Sequence, residues 1–316
     1  MMSAVSSTVD STVAGIASWA RRRFANTAVE RLPFVRAAHQ ALFRLTCDGT
    51  EQQADFRGSR LTVPTSDITM APGLLRGYYE KWELTAFEQL AAASGLIVDV
   101  GANIGVYACA GGLHLPPGGR LVAIEPVPQS ISYLRHNLAA NGLDGVVQVI
   151  EAAAGAHPGR LRLHLASGAI GTHSAASSNV TGHGGLADVP MIRVDDVVFG
   201  QPVDVLKVDV EGYDGYVLRG AEEMLHRDQP AMLIEYVPKQ LRACGFPLAE
   251  FAARVFGACE RVYLVDEPRD VFTECDEAGV LALAERDVRY NLVGASRPEH
   301  LAILAAVAAE VSPCAS

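Results

Sequence analysis

Six acidic residues close short apolar runs in this sequence: Asp99, Glu125, Glu151, Asp209, Glu211 and Glu235. Asp99 opens the stretch Asp99-Val100-Gly101-Ala102-Asn103-Ile104-Gly105, which reads as a strand turning into a helix. Gly101 allows a tight turn and leaves bare backbone for a ligand, and Gly105 lets the helix pack close to the sheet. Amides at the start of that helix form a positive end that can hold a carboxylate. Asp99 can take a cationic amino group of the same ligand. Glu125 follows Gly105 at the distance from which an acid accepts hydrogen bonds from both ribose hydroxyls. Together these residues describe a nucleoside cofactor site. The loop then discriminates between cofactors. A dinucleotide wants G-x-G-x-x-G, so that its pyrophosphate lies on bare backbone. Here Asn103 occupies the second position, and the leading carboxylate repels a pyrophosphate but attracts an ammonium or sulfonium. S-adenosylmethionine, leaving as S-adenosylhomocysteine, is therefore expected. Gly182-His183-Gly184-Gly185-Leu186-Ala187 matches G-x-G-x-x-A but lacks the strand and helix, and reads as flexible loop.

A second group of charges could do the transfer. Lys207, Asp209 and Glu211 alternate at the end of an apolar run and are expected to share one side of a pleat. Three charges there need partners. Asp209 is expected to contact acceptor or cofactor, Lys207 to pair with an acid, and Glu211 to pair with Lys207 or to serve the reaction. Asp209, Glu211 and Glu235 could also supply oxygen ligands to Mg²⁺, although a metal-free site is the first reading. His173 and His183 are candidate bases on a Gly/Ser/His-rich segment from Ala166 to Pro190.

The elements that must position these groups alternate strand and helix. Strands are expected at 96–100, 121–124, 146–150, 205–210, 232–235, 262–265 and 290–293, with helices from Ile104, over 130–141 and over 215–225. Such alternation implies an α/β fold, a seven-stranded and mostly parallel sheet with helices on both faces. Ahead of it, Asp55–Val63 suggests a hairpin around Gly58-Ser59, and 73–90 a loop leading into a helix. Residues 1–52 read as a helical extension with a break at Pro33, and 53–316 as the main domain: lead-in 53–95, core 96–296, closing helix 298–312.

The 316 residues carry a net charge of −10, unevenly spread. Residues 1–60 are net basic and the remainder strongly acidic, which disfavours a nucleic-acid substrate and favours a small molecule or glycan. Six scattered cysteines give neither a zinc site nor a disulfide framework, as expected of a reducing cytoplasm. No stretch reaches the roughly 18 uncharged apolar residues of a membrane span. Residues 1–30 could make weak membrane-surface contact as an amphipathic helix. Homo-oligomers are compatible with this composition.

Taken with Glu125-Pro126, His136-Asn137, Asn141-Gly142, Leu206-Lys207-Val208-Asp209-Val210-Glu211-Gly212-Tyr213, Leu233-Ile234-Glu235-Tyr236 and, after the hairpin and Asp67, Gly77-Tyr78-Tyr79-Glu80, the loop resembles the FkbM family of methyltransferases over roughly 55–296. The resemblance implies a Rossmann-like class I methyltransferase fold and O-methylation of a natural product of polyketide or macrolide type, or of a sugar or glycan. Cofactor contacts are then expected from Glu80, Asp99, Gly101, Ala102, Asn103, Gly105, Glu125, Pro126, Glu151, Ala152 and Asp209. The chemistry is expected from Asp209, Lys207, Glu211 and His183. The segment 166–190 departs from the pattern and is expected to close over the acceptor. The rival readings are an NAD-dependent oxidoreductase and a non-catalytic protein that keeps the cofactor pocket.

Overall fold

The computed structural model describes residues 50–311, except 168, 169, 181, 183, 199 and 286–288. The N-terminal extension and its expected membrane-surface helix therefore lie outside the described residues. A hairpin comes first, β1 (Glu51–Phe56) and β2 (Ser59–Pro64), with Phe56 opposite Ser59. Its turn is thus Arg57-Gly58 rather than Gly58-Ser59. Both turn residues have positive φ (49° and 82°), as the tight turn that matches strand twist requires. Two helices follow, α1 (Ala71–Leu75) and α2 (Lys81–Ala91).

The central sheet is laid down by β3 (Leu96–Val100), α3 (Val106–His114), β4 (Arg120–Ile124), α4 (Pro128–Ala140) and β5 (Val147–Ile150). After two intervening segments come β9 (Val205–Val208), α5 (Asp214–Arg219), α6 (Glu222–Asp228), β10 (Ala231–Tyr236), α7 (Pro238–Ala243) and α8 (Leu248–Ala258). The chain ends in β11 (Arg261–Asp266), β12 (Val271–Cys275), α9 (Glu277–Ala282), β13 (Tyr290–Ala295) and α10 (Pro298–Val311). The strand order is β12-β11-β13-β10-β9-β3-β4-β5. The neighbours β10, β9, β3, β4 and β5 are parallel, while β13 runs antiparallel between β10 and β11. The sheet has eight strands, not seven. The additional β12 lies at the edge and buries only Phe272, so it carries no continuous apolar run to announce it.

Two layers cover the sheet. Phe87, Leu90 and Leu134 from α2 and α4 lie in one buried cluster, and Val217, Leu218 and Phe251 from α5 and α8 in another. The expected helix 215–225 is broken at Gly220, where a Cβ would stand 2.0 Å from the Gly155 carbonyl. Burial of apolar side chains at about 25 cal/mol per Å² is what drives these layers together.

Part of the segment expected to be flexible loop is sheet. β7 (Gly159–Leu165) and β8 (Gly185–Ile192) pair antiparallel, and β8 pairs parallel with β6 (Ala153–Ala154). Polar residues alternate with Leu161, Leu163 and Val189 along both strands, so one face is half buried and the other carries Arg160, Arg162 and Asp188. Among the described residues no helix is long and apolar enough to cross a membrane.

The order of the crossovers, not the direction of the chain, reverses between the parallel neighbours β3 and β9: one series leads outward through β4 and β5, the other through β10. A crevice at the carboxyl ends of the strands opens at such a switch point, and the sheet places Asp99 and Asp209 on its two sides.

Candidate active site

The loop after β3 is shaped by its own neighbours. Gly101 (φ 82°) has the Asp209 carbonyl where a Cβ would sit, at 1.9 Å. Its bare Cα is thus needed for the approach of the β9 exit, not only for a ligand. A Cβ on Gly105 (φ 92°) would stand 2.7 Å from Leu134 Cδ1 of α4, so the close packing it permits is between helices, not against the sheet. Asn103 takes a left-handed conformation (φ 49°), which asparagine tolerates better than most residues. Its amide donates to Glu125 Oε2 and the Val127 amide to Glu125 Oε1, each at 2.9 Å. Glu125 is buried rather than solvated, and burial pushes its pKa up to about 7 against the pull of those two amides. Asn137 of α4 accepts from the Thr62 amide (2.7 Å) and donates to Ile104 O (2.8 Å), tying the hairpin to the loop.

Asp99 does not cap α3, whose first turn receives no side-chain bond. It is fully buried, and neither carboxylate oxygen accepts a hydrogen bond. Burial raises its pKa to about 6, with Lys207 opposing. A buried carboxylate without a hydrogen bond, sharing one lysine at 3.7 Å, is costly, so this position favours a further cationic ligand group. Ala102, Gly105 and Ala152 line the same region as buried small residues, and Pro126 is half buried beside Glu125. Glu151 is placed differently: its half-exposed carboxylate is held by Arg135 at 2.8 Å.

Lys207 does not pair with Glu211. Its Nζ lies 3.7 Å from Asp99 and 3.6 Å from Asp209, and 4.7 Å from the centre of the Tyr107 ring. Burial opposes its charge, but Asp209, Asp99 and Glu80 outweigh burial and raise its pKa, so it stays an ammonium. Strand β9 ends at Val208, and the chain then turns through Glu211 (φ 53°) and Gly212 (φ 95°). The pleat does not continue to Glu211, which is why it leaves the company of Lys207. Asp214 holds this turn by accepting from the Val210 and Gly212 amides at 3.2 and 3.0 Å.

Glu211 meets partners that no local pattern announces. Gln240 donates to its Oε2, and Arg289 Nη2 lies 3.4 Å from its Oε1. Arg289 Nε is 2.8 Å from Glu235 Oε1. Oxygens of Asp209, Glu211 and Glu235 all fall within 4.8 Å of one another, a spacing a divalent cation could span, and Arg289 already supplies a cation to two of them. Burial raises the pKa of Glu235 despite Arg289. Tyr107, Gln240, Arg289 and Asp67 are the site residues that sequence reasoning missed as such. Each acts through a partner far away in the chain, so no local pattern marks it.

Segment 170–179 crosses the site. Asp67 Oδ2 accepts from the Ile170 (2.8 Å) and Gly171 (3.1 Å) amides at one end. At the other, Ser174 Oγ (2.7 Å) and Asn179 Nδ2 (3.2 Å) donate to the Glu211 carbonyl. His173 Nδ1 accepts from the Ala166 amide at 2.9 Å, so the neutral ring carries its proton on Nε2 and has no free lone pair for base catalysis. His183 lies outside the described residues.

A family model described as Methyltransferase FkbM domain matches residues 99–263, about half of the chain. Over 54 residues the chain is 39% identical to the protein-L-isoaspartate O-methyltransferase of Aeropyrum pernix, a match covering 17% of this chain and 21% of that protein. The chain therefore spans about a fifth of the length of that curated relative. Among solved structures, the methyltransferase FkbM of Methylobacillus flagellatus KT is 21% identical, with 45% of this chain and 32% of that chain covered and a TM-score of 0.33. The O-methyltransferase TomG of Streptomyces achromogenes, solved with SAM, is 14% identical, with 69% and 80% covered and a TM-score of 0.39.

Proposed function

Because the chain belongs to the methyltransferase FkbM domain family, we propose that it transfers the methyl group of S-adenosylmethionine to a hydroxyl oxygen of a small molecule. The acceptor is a natural product of the polyketide or macrolide type, or a sugar of a glycan. The observation that carries the cofactor reading is Asp99, fully buried with neither oxygen hydrogen-bonded and only a shared lysine 3.7 Å away, beside a loop whose neighbouring strand ends in a buried Glu125. Asp99 would take the ammonium of the methionine moiety and Glu125 the ribose hydroxyls. Gly101, Ala102, Asn103, Gly105, Pro126 and Ala152 would surround the moiety. Glu151, engaged with Arg135, is left a peripheral part.

When bound, the cofactor supplies a methyl group already activated on sulfur. What remains for the protein is to align an oxygen and to receive its proton. Asp209 is suited to receive that proton, because its side chain is one-quarter exposed and Lys207 Nζ lies 3.6 Å from it. Glu211 and Lys207 act by holding position. The acid-rich surroundings disfavour acceptors bearing phosphate or sulfate near the methylated hydroxyl. Mg²⁺ is not required on this reading, since Arg289 already supplies a cation to both Glu235 and Glu211. Residues 53–316 form the catalytic unit and 1–52 an extension, working in the cytoplasm.

Calorimetry tests the cofactor. S-adenosylhomocysteine binds and NADH does not; the opposite outcome sinks the reading. Labelled methyl transfer to a panel of macrolides, sugars and glycolipids tests the acceptor, and label on nitrogen instead of oxygen would redirect it.

A further inference from the structure

Among the described residues the charges around Lys207 do not balance. Asp99 and Asp209 share its single ammonium at 3.7 and 3.6 Å, and the Tyr107 ring lies beneath it. The Tyr107 hydroxyl donates to Glu80 Oε2 at 2.8 Å, which brings a third carboxylate to the same network. Glu83, one turn along α2 and buried, accepts from Asn291 rather than from a cation. Among the described residues the other cation of the site is Arg289, held by Glu235 and Glu211.

Glu80 is released from the role its position would normally give it. It stands at the N-cap of α2, yet its side chain makes no cap bond. Glu267 caps the helix instead, accepting from the Trp82 and Glu83 amides at 2.8 and 2.9 Å. The backbone of Glu80 is left-handed (φ 38°, ψ 54°), a conformation that costs a non-glycine residue of order 1 kcal/mol or more. Strain and a released carboxylate together direct Glu80 to the site. A second, independent feature is Asp99, fully buried with no hydrogen bond to either oxygen.

We propose that this surplus of negative charge makes the site charge-selective, with Glu80 and Asp209 as the residues that hold the cationic cofactor more tightly than its neutral product. The proposal rests on the S-adenosylmethionine reading. In the transfer, the carbon–sulfur bond breaks with its electron pair left on sulfur, and the acceptor oxygen's pair forms the new bond to the methyl. The hydroxyl proton passes to a carboxylate or water. Sulfur thereby loses its positive charge. The electrostatic hold of Glu80 and Asp209 falls at that moment, and product departure follows from the charges already built into the fold. Lys207 tunes the effect as a competing cation.

Titration calorimetry at pH 7.5 with two probes tests this. S-adenosylhomocysteine has an uncharged sulfur; sinefungin carries an ammonium-bearing carbon in its place. Sinefungin is expected to bind at least tenfold more tightly. Glu80→Gln and Asp209→Asn should each cut that ratio by threefold or more, and Lys207→Met should raise it. The ratio is internal to each variant, so a general loss of folding does not imitate the effect. Equal wild-type affinities, or a ratio unmoved in both carboxylate variants, overturn the proposal while leaving the cofactor reading intact. Failure of both probes to bind the wild type overturns the cofactor reading itself, and this proposal with it.

Discussion

Replacing Glu125 by alanine should separate binding from folding, because two effects on stability oppose each other. The carboxylate accepts one buried and one partly buried amide, each at 2.9 Å, and leaving them unpaired costs about 1–3 kcal/mol each, less where water enters the vacated space. Against this, burial raises the Glu125 pKa from 4.5 to about 7. A raised carboxylate pKa means that the fold favours the protonated form. The resulting destabilisation is absent below about pH 4.5, grows as the pH rises, and is complete above about 7. Its size at pH 8 is about 3 kcal/mol, which the alanine variant no longer carries. The two terms offset, so the unfolding temperature of Glu125→Ala should stay within a few degrees of the wild type at pH 8. Cofactor affinity has no such compensation. Loss of charge-assisted hydrogen bonds to two ribose hydroxyls is worth about 2 kcal/mol, or about 30-fold in Kd for S-adenosylhomocysteine. Calorimetry and thermal unfolding on the same preparation read both numbers. A folded variant whose Kd stays within threefold of the wild type would show that Glu125 is not the ribose acid.

Three other outcomes follow from the same geometry. Affinity for S-adenosylhomocysteine should rise from pH 5 and level off above about 8, since Asp99 (about 6) and Glu125 (about 7) must both ionise; a flat calorimetric profile would refute their roles. Gly101→Ala should destabilise far more than Gly105→Ala, because the first drives a Cβ into the Asp209 carbonyl and the second only into the tip of Leu134; equal unfolding temperatures would contradict this. Arg289→Met leaves Glu235 and Glu211 buried without their cation, so the unfolding temperature should fall. The deficit should shrink towards pH 5 as these carboxylates, already raised by burial, take up protons, and a deficit that grows on acidification would be inconsistent with the pairing.

What this sequence determined by itself was whatever depends on neighbours in the chain. Short apolar runs specified β3, β4, β9, β10, β11 and β13, since a strand buried on both faces reads as a nearly continuous apolar stretch. The loop from Asp99 to Gly105 was legible because a tight turn, a helix start and a leading acid are all local requirements. The half-buried strands β7, β8 and β12 were not legible, because alternation over so few residues also suits a loop. Partners were decided only by tertiary structure. Arg289 reaches Glu235 because β13 lies antiparallel to β10 with Tyr290 opposite Tyr236, which brings the residue before β13 to the carboxyl end of β10. Lys207 faces Asp99 rather than Glu211 because β9 pairs with β3 in a register that sets the two residues side by side, and the chain turns away immediately after Val208. An ion pair reports distance in space, and the sheet register that sets this distance is written in no single stretch of the chain.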